Sequence, residues 1–188
     1  MQYFDKGSRG LIYINPEREY IIKIGKENKI LNEAKWLKKL NSYNIGPKLI
    51  KTDKNYVIIE YINGKKILDY FQEADKEQIL VIIRDILLQC RILDKLKINK
   101  LEMHHPLKHI IINSKNKPIL IDFERCHFTK RTKNITQFCQ FLTSNKVRKI
   151  FLKKELIFNK YEIIKRIKIY KNKQNESNFL KLLSMLRQ

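Results

Sequence analysis

Pro118-Ile119-Leu120-Ile121-Asp122-Phe123-Glu124-Arg125 joins a short apolar strand to a carboxylate placed where the strand should stop. Pro118 suits the first position of a strand, where its missing N–H removes no internal ladder bond. The unbroken run Ile119–Ile121 is the pattern of a strand buried on both faces. A carboxylate at position 122 is costly to bury unless a cation or several donors meet it; an Asp there can equally cap the following turn. On the N-terminal side, Ile110 to Ile112 reads as the partner strand and 113–117 as the hairpin turn. Before it, Lys100-Leu101-Glu102-Met103-His104-His105-Pro106-Leu107-Lys108-His109 forms a polar loop crowded with titratable groups.

That loop follows a long helix. Asp75 is its expected N-cap, with Gln78 completing a capping box. Ile79, Ile82, Ile83, Ile86, Leu87, Cys90 and Leu93 give it an apolar stripe that ends near Lys97. Residues 65–74 read as a shorter helix. Beyond Arg125 the pattern is helical throughout, over 134–143, 145–153, 160–171 and 176–186.

The first sixty residues read differently. Strands are expected at 2–4, 11–14, 20–24, 48–51 and 56–62, with one helix at 28–42. Asp5-Lys6-Gly7-Ser8-Arg9-Gly10 is a turn whose two glycines would let backbone N–H groups approach a phosphate, or simply close a hairpin. Lys23 lies within the apolar strand Tyr20–Ile24, either as a solvated outer-face residue or facing inward. Glu33 falls on the same helical face as Ile30, Leu37 and Leu40, which invites a buried cationic partner; pairing with Lys26 or Lys29 at the helix flank is the alternative. Asn63-Gly64 breaks the chain and marks a lobe boundary.

The 188 residues suffice for one domain or two small lobes. Hydrophobic residues at 43% indicate a folded chain, not a disordered one. Forty Lys and Arg against nineteen Asp and Glu give a net charge of +21. That favours polyanionic partners, although abundant Lys and Ile throughout also fit a compositional bias. The basic residues are densest in Lys146–Lys154 and Lys160–Lys173. Cys90, Cys126 and Cys139 show no metal or disulfide spacing, as expected of a reducing compartment. The first ten residues carry no apolar leader, and the run Ile79–Leu88 is interrupted by Arg84 and Asp85, so a cytoplasmic protein with no membrane partner is expected.

In this order the parts resemble the protein-kinase-like fold, especially its small archaeal and RIO-type relatives, over about residues 5–125. Gly7-Ser8-Arg9-Gly10 resembles a reduced glycine-rich loop, Lys23 the third-strand lysine, and Glu33 in Asn32-Glu33-Ala34 its helix partner. Ile58-Ile59-Glu60-Tyr61-Ile62-Asn63-Gly64 resembles the hinge, where backbone at Glu60 and Ile62 would meet adenine. Leu93 to Met103 is similar to the approach to the catalytic loop, and Ile121-Asp122-Phe123-Glu124 to the Asp-Phe-Gly segment. The resemblance implies an α+β, two-lobed fold. Residues 1–62 would form a nucleotide-binding lobe, a five-stranded antiparallel sheet with one helix, and residues 63–188 a mostly helical, truncated C-terminal lobe. It further implies ATP with Mg²⁺ or Mn²⁺, Asp122 holding the metal, and Gly7, Gly10, Lys23, Glu33, Glu60 and Ile62 around the nucleotide.

The departures fall on the catalytic loop. Where the family has His-x-Asp, this chain reads Lys100-Leu101-Glu102, so Glu102 is the candidate to orient the acceptor hydroxyl, its carboxylate moved by one methylene. The family's metal-binding Asn is missing. His109 stands nearest its place, after a loop two residues longer. Imidazole is a poor Mg²⁺ ligand and a better one for Mn²⁺ or zinc, so His109 could instead hydrogen-bond phosphate. His104, His105, His109 and Glu102 match no established zinc spacing. Lys108 is the candidate contact to the transferred phosphate. Glu124 replaces the Gly after Asp-Phe, with Arg125 or a basic helix as its expected partner. Three functions remain open: a Ser/Thr kinase acting on a protein or on itself, a small-molecule kinase, and a pseudokinase serving as a nucleotide-sensing module. RIO-type kinases associate with ribosome precursors, so the resemblance also implies an RNA or ribonucleoprotein partner.

Overall fold

The computed structural model describes residues 1–7 and 10–186. By its contacts the chain divides into two compact units, Met1–Gly64 with Ile119–Cys126, and Lys65–Pro118 with His127–Gln188.

The first unit is built on an antiparallel sheet of five strands: β1 (Gln2–Gly7), β2 (Gly10–Ile14), β3 (Tyr20–Gly25), β4 (Leu49–Thr52) and β5 (Tyr56–Glu60). Their order is β1-β2-β3-β5-β4, so β3 lies in the middle. The first two strands run further into their hairpin than the sequence pattern suggested. Gly7 pairs with Gly10, leaving only Ser8 and Arg9 between them; those two lie outside the described residues. A side chain at Gly10 would run into the Ile24 carbonyl oxygen, so the close β2–β3 approach by itself requires glycine there. Helix α1 (Glu27–Leu40) buries Ile30, Glu33, Ala34, Trp36, Leu37 and Leu40. A 3-10 turn, Asn41–Tyr43, and the left-handed Gly46 lead to β4.

After β5 come β6 (Gly64–Lys66), α2 (Ile67–Glu73) and α3 (Lys76–Lys95). The capping box at Asp75 and Gln78 is present with both its bonds, and the apolar stripe of α3 is buried. Two-residue strand β7 (Ile98–Asn99) precedes two 3-10 turns, Leu101–His104 and Pro106–Lys108. The stretch read as a polar loop is thus largely two 3-10 turns, and Lys100, Glu102 and Met103 in it are buried.

Strands β8 (Ile110–Asn113) and β9 (Pro118–Leu120) are joined by a tight turn. There Asn113 Oδ1 accepts from the N–H groups of Lys115 and Lys117. β9 stops at Leu120, and its residues are alternately buried and half-buried, so it is covered on one face and not two. Strand β10 (His127–Phe128) pairs antiparallel with β7. Helices α4 (Asn134–Leu142), α5 (Asn145–Leu152), α6 (Lys160–Asn172) and α7 (Glu176–Leu183) complete the second unit. The core of that unit is formed by Phe71, the α3 stripe, Phe138, Tyr170 and Phe179.

All three cysteines are buried thiols, not joined in disulfides. Among the described residues, no helix is long and apolar enough to cross a membrane.

Candidate active site

Lys23 sits on the central strand, opposite Ile12 of β2 and Val57 of β5. Its ammonium meets the Glu33 carboxylate at 2.7 Å, Nζ to Oε1. The Glu33 side chain is 3% exposed and that of Lys23 19%. Of the two partners open to Glu33, the strand lysine is the one that holds it. Burial works to lower the Lys23 pKa; the carboxylates of Glu33 and Asp122, with that of Glu124, overcome this and hold it above its ordinary value. The lysine is therefore charged across the whole neutral range, paired with Glu33 and in the field of Asp122 and Glu124.

Asp122 follows β9 by two residues and adopts a left-handed backbone, φ 67°. Asp tolerates that region better than most side chains, at a cost its surroundings must offset. Helix α1 supplies the restraints. Glu33 Oε1 accepts from the Phe123 N–H at 3.4 Å. Asn32 Nδ2 donates to the carbonyls of Glu124, 2.8 Å, and Cys126, 3.1 Å. Trp36 Nε1 donates to the Cys126 carbonyl at 2.9 Å. The Phe123 ring is fully buried against Gly46, where an added Cβ would lie 2.8 Å from the ring and 2.9 Å from Leu37 Cδ2. One helix thus holds the lysine through Glu33 and the Asp122 segment through Asn32 and Trp36. Sequence reading missed the latter two; the signal was there in the chain's single Trp, one turn from Glu33 on the buried face.

The other nucleotide candidates are less committed. The Glu60 N–H donates to the Lys48 carbonyl, and its carboxylate accepts from the Lys48 N–H, so both serve the β4–β5 edge. Ile62 is half-buried in the short connection between β5 and β6. Gly7 and Gly10 form the tight hairpin already described.

Glu102, Lys108 and His109 belong to the second unit. Glu102 is 5% exposed, and its Oε2 accepts from the wholly buried Lys100 ammonium at 3.1 Å. The Lys100 N–H donates to Asn134 Oδ1. Asn134 Nδ2 in turn donates to Asp94 Oδ1 and the Ile98 carbonyl, each at 2.7 Å. The Tyr170 hydroxyl donates to Asp94 Oδ2 and accepts from Arg91. Burial raises the Asp94 pKa, outweighing the hydrogen bonds from Asn134, Thr132 and Tyr170 that lower it. This network was not foreseen, although Asp94 stands one turn beyond Cys90 on the α3 stripe, the same kind of signal that singled out Glu33.

Lys108 is exposed and His109 half-buried. His104 and His105 are exposed, with ring centroids 4.7 Å apart. Among the described residues no three His, Cys, Asp or Glu side chains are grouped to hold a metal ion. No protein-family model matches the sequence, and no curated protein is similar enough to be matched.

Proposed function

We propose that the chain is an ATP-dependent phosphotransferase of the protein-kinase-like type, with a Ser or Thr hydroxyl as acceptor, on a protein or on itself. The observation that carries this reading is the 2.7 Å Lys23–Glu33 pair, with the left-handed Asp122 acting on the same lysine. A five-stranded antiparallel sheet with one helix, followed by a mostly helical part, supports it at the level of architecture.

In this reading Lys23 donates to nucleotide phosphate oxygens while Glu33 fixes its ammonium, and the backbone at Glu60 and Ile62 receives the adenine. The donor set suits Mg²⁺ or Mn²⁺, since such ions commonly take one or two carboxylates and complete their shell with phosphate and water. When bound, the cation neutralises charge on the phosphate oxygens. Asp122 is the carboxylate that would hold it. Lys108 is exposed, as a contact to the transferred phosphoryl group must be, and His109 is suited to a hydrogen bond with phosphate. Glu102 would orient the acceptor hydroxyl.

A second reading, a nucleotide-binding module without transfer, is favoured by one observation: Glu102 is enclosed and already engaged by Lys100. Incubation with γ-labelled ATP and Mg²⁺ or Mn²⁺ separates the two. Label transfer that is lost in Asp122→Ala supports the enzyme. Nucleotide bound with no transfer supports the module. Nucleotide binding unchanged in both Asp122→Ala and Lys23→Ala would sink both readings.

A further inference from the structure

We propose that the surface running from α5 to the start of α6 is a docking site for an acidic, amphipathic polypeptide segment. Residues 146–173 carry eleven Lys or Arg and two Asp or Glu, so 28 of the 188 residues hold +9 of the net +21. A chain-wide compositional bias would spread the charge evenly; this stretch holds nearly three times its share. Lys146, Arg148, Lys149, Lys153 and Lys160 are exposed.

The same stretch exposes apolar surface. Leu152 is 56% exposed and Ile157 67%. Both line a depression floored by the buried Phe151 and Leu156, with Arg148 and Lys160 also in its wall. An exposed apolar patch rimmed by charge is a usual mark of a protein-docking surface. The depression's cavity volume is about 30 Å³. Small-molecule pockets run to roughly 300–1,000 Å³, so a nucleotide or metabolite does not fit. What does fit is the tip of an apolar side chain projected by a partner.

The chemistry of the wall selects among polyanions. Sites for single-stranded nucleic acid pair basic residues with aromatic rings on which bases stack. Here the most exposed apolar residues of the wall, Leu152 and Ile157, are aliphatic, and the aromatic Phe158 beside them is half-buried. A phosphate backbone leaves Leu152 and Ile157 in water, whereas an amphipathic segment covers them with Leu or Phe and sets Asp or Glu against the lysines. Tyr161, 74% exposed and next to Lys160, is where a base could stack, so nucleic acid is the competitor to be tested.

Fluorescence anisotropy with the full chain decides between them, using three labelled probes: a helical Leu/Glu peptide with Leu at i, i+3, i+4 and i+7, an all-Glu peptide of equal length, and single-stranded polyuridine. The Leu/Glu peptide should bind about ten-fold more tightly than the all-Glu peptide, the gain expected from burying two aliphatic side chains in part. Combined Leu152→Ser and Ile157→Ser, both at exposed positions, should erase that margin without moving the thermal midpoint. Arg148→Glu with Lys160→Glu should weaken both peptides. Equal binding of the two peptides, no peptide binding at low salt, or tighter binding of polyuridine that ignores Leu152→Ser and Ile157→Ser would each overturn the proposal.

Discussion

Two ion pairs, Lys23–Glu33 and Lys100–Glu102, share chemistry and differ in setting. Lys23 keeps 19% of its side chain in solvent; Lys100 keeps none. Breaking a fully enclosed pair by changing one member costs about 3–5 kcal/mol. Glu102→Gln should therefore lower stability by an amount of that order, seen as a drop in the urea midpoint. Adding Lys100→Met should restore part of the loss, since the buried ammonium that lost its Glu102 carboxylate goes with it. A Glu102→Gln protein with the wild-type midpoint but no label transfer would show the opposite, a carboxylate reserved for the acceptor hydroxyl. At Lys23 the pKa is raised. Its contribution to stability is thus complete below the ordinary lysine value of 10.5 and is lost only as pH climbs through the folded-state value above it. On the proposed phosphotransferase reading, nucleotide affinity should accordingly show no Lys23 titration between pH 6 and 9; an inflection in that window abolished by Lys23→Ala would contradict the pairing.

Among the elements, α1 and α3 each carry a carboxylate on an apolar face, and the two have different consequences. Asp94 of α3 has a raised pKa in the folded protein, chiefly from burial. The sign follows directly. Below the ordinary value of 3.8 the group is protonated, folded or not, and has no effect. As pH rises above 3.8 the unfolded chain ionises first, so folded stability falls until the folded-state pKa is passed, and the loss then persists. In Asp94→Asn that component should vanish. The stability difference between variant and wild type, from urea unfolding at stepped pH, should drift in favour of the variant as pH rises from 3.8. Parallel curves would show that Asp94 does not titrate as its burial implies. The level of the curves also changes, because the amide replaces an acceptor of Tyr170 and Asn134, so the slope is the quantity to read. The elements themselves were largely legible. Period-3.6 stripes located α1 and α3, the capping box set the start of α3, and Asn113 marked its turn. The 3-10 turns at 101–108 and the two-residue strands β7 and β10 were not, because such short pieces carry no period. Glu33 and Asp94 were equally visible as charges on apolar faces. Lys23 could be guessed for Glu33 from the neighbouring strand, only ten residues away. Asn134 and Tyr170 lie 40 and 76 residues beyond Asp94, and periodicity names a face but never the partner that will cover it.

For the whole molecule the dominant fact is the charge of +21. Self-repulsion of that size opposes compactness, and salt screens it over a Debye length of about 10 Å at 0.1 M. The thermal midpoint should rise with added NaCl at fixed pH. A fall would mean that the exposed ion pairs contribute more than the repulsion removes. The first unit also has a peculiarity of chain order: it is closed by Ile119–Cys126, which arrive only after more than fifty residues of the other unit. Asn32 and Trp36 find their acceptors 92 and 90 residues downstream. A ribosome adding about 5–20 residues per second needs roughly 3–12 s to go from Gly64 to Cys126. Throughout that interval the nascent sheet and helix have no Phe123 to set against Gly46 and Leu37, and the indole and amide donors face water. The Asp122 turn is then the last piece the first unit receives, so the surroundings of the Lys23–Glu33 pair are completed late in synthesis, and a ribosome halted before residue 119 leaves a half-built unit with its apolar seat open.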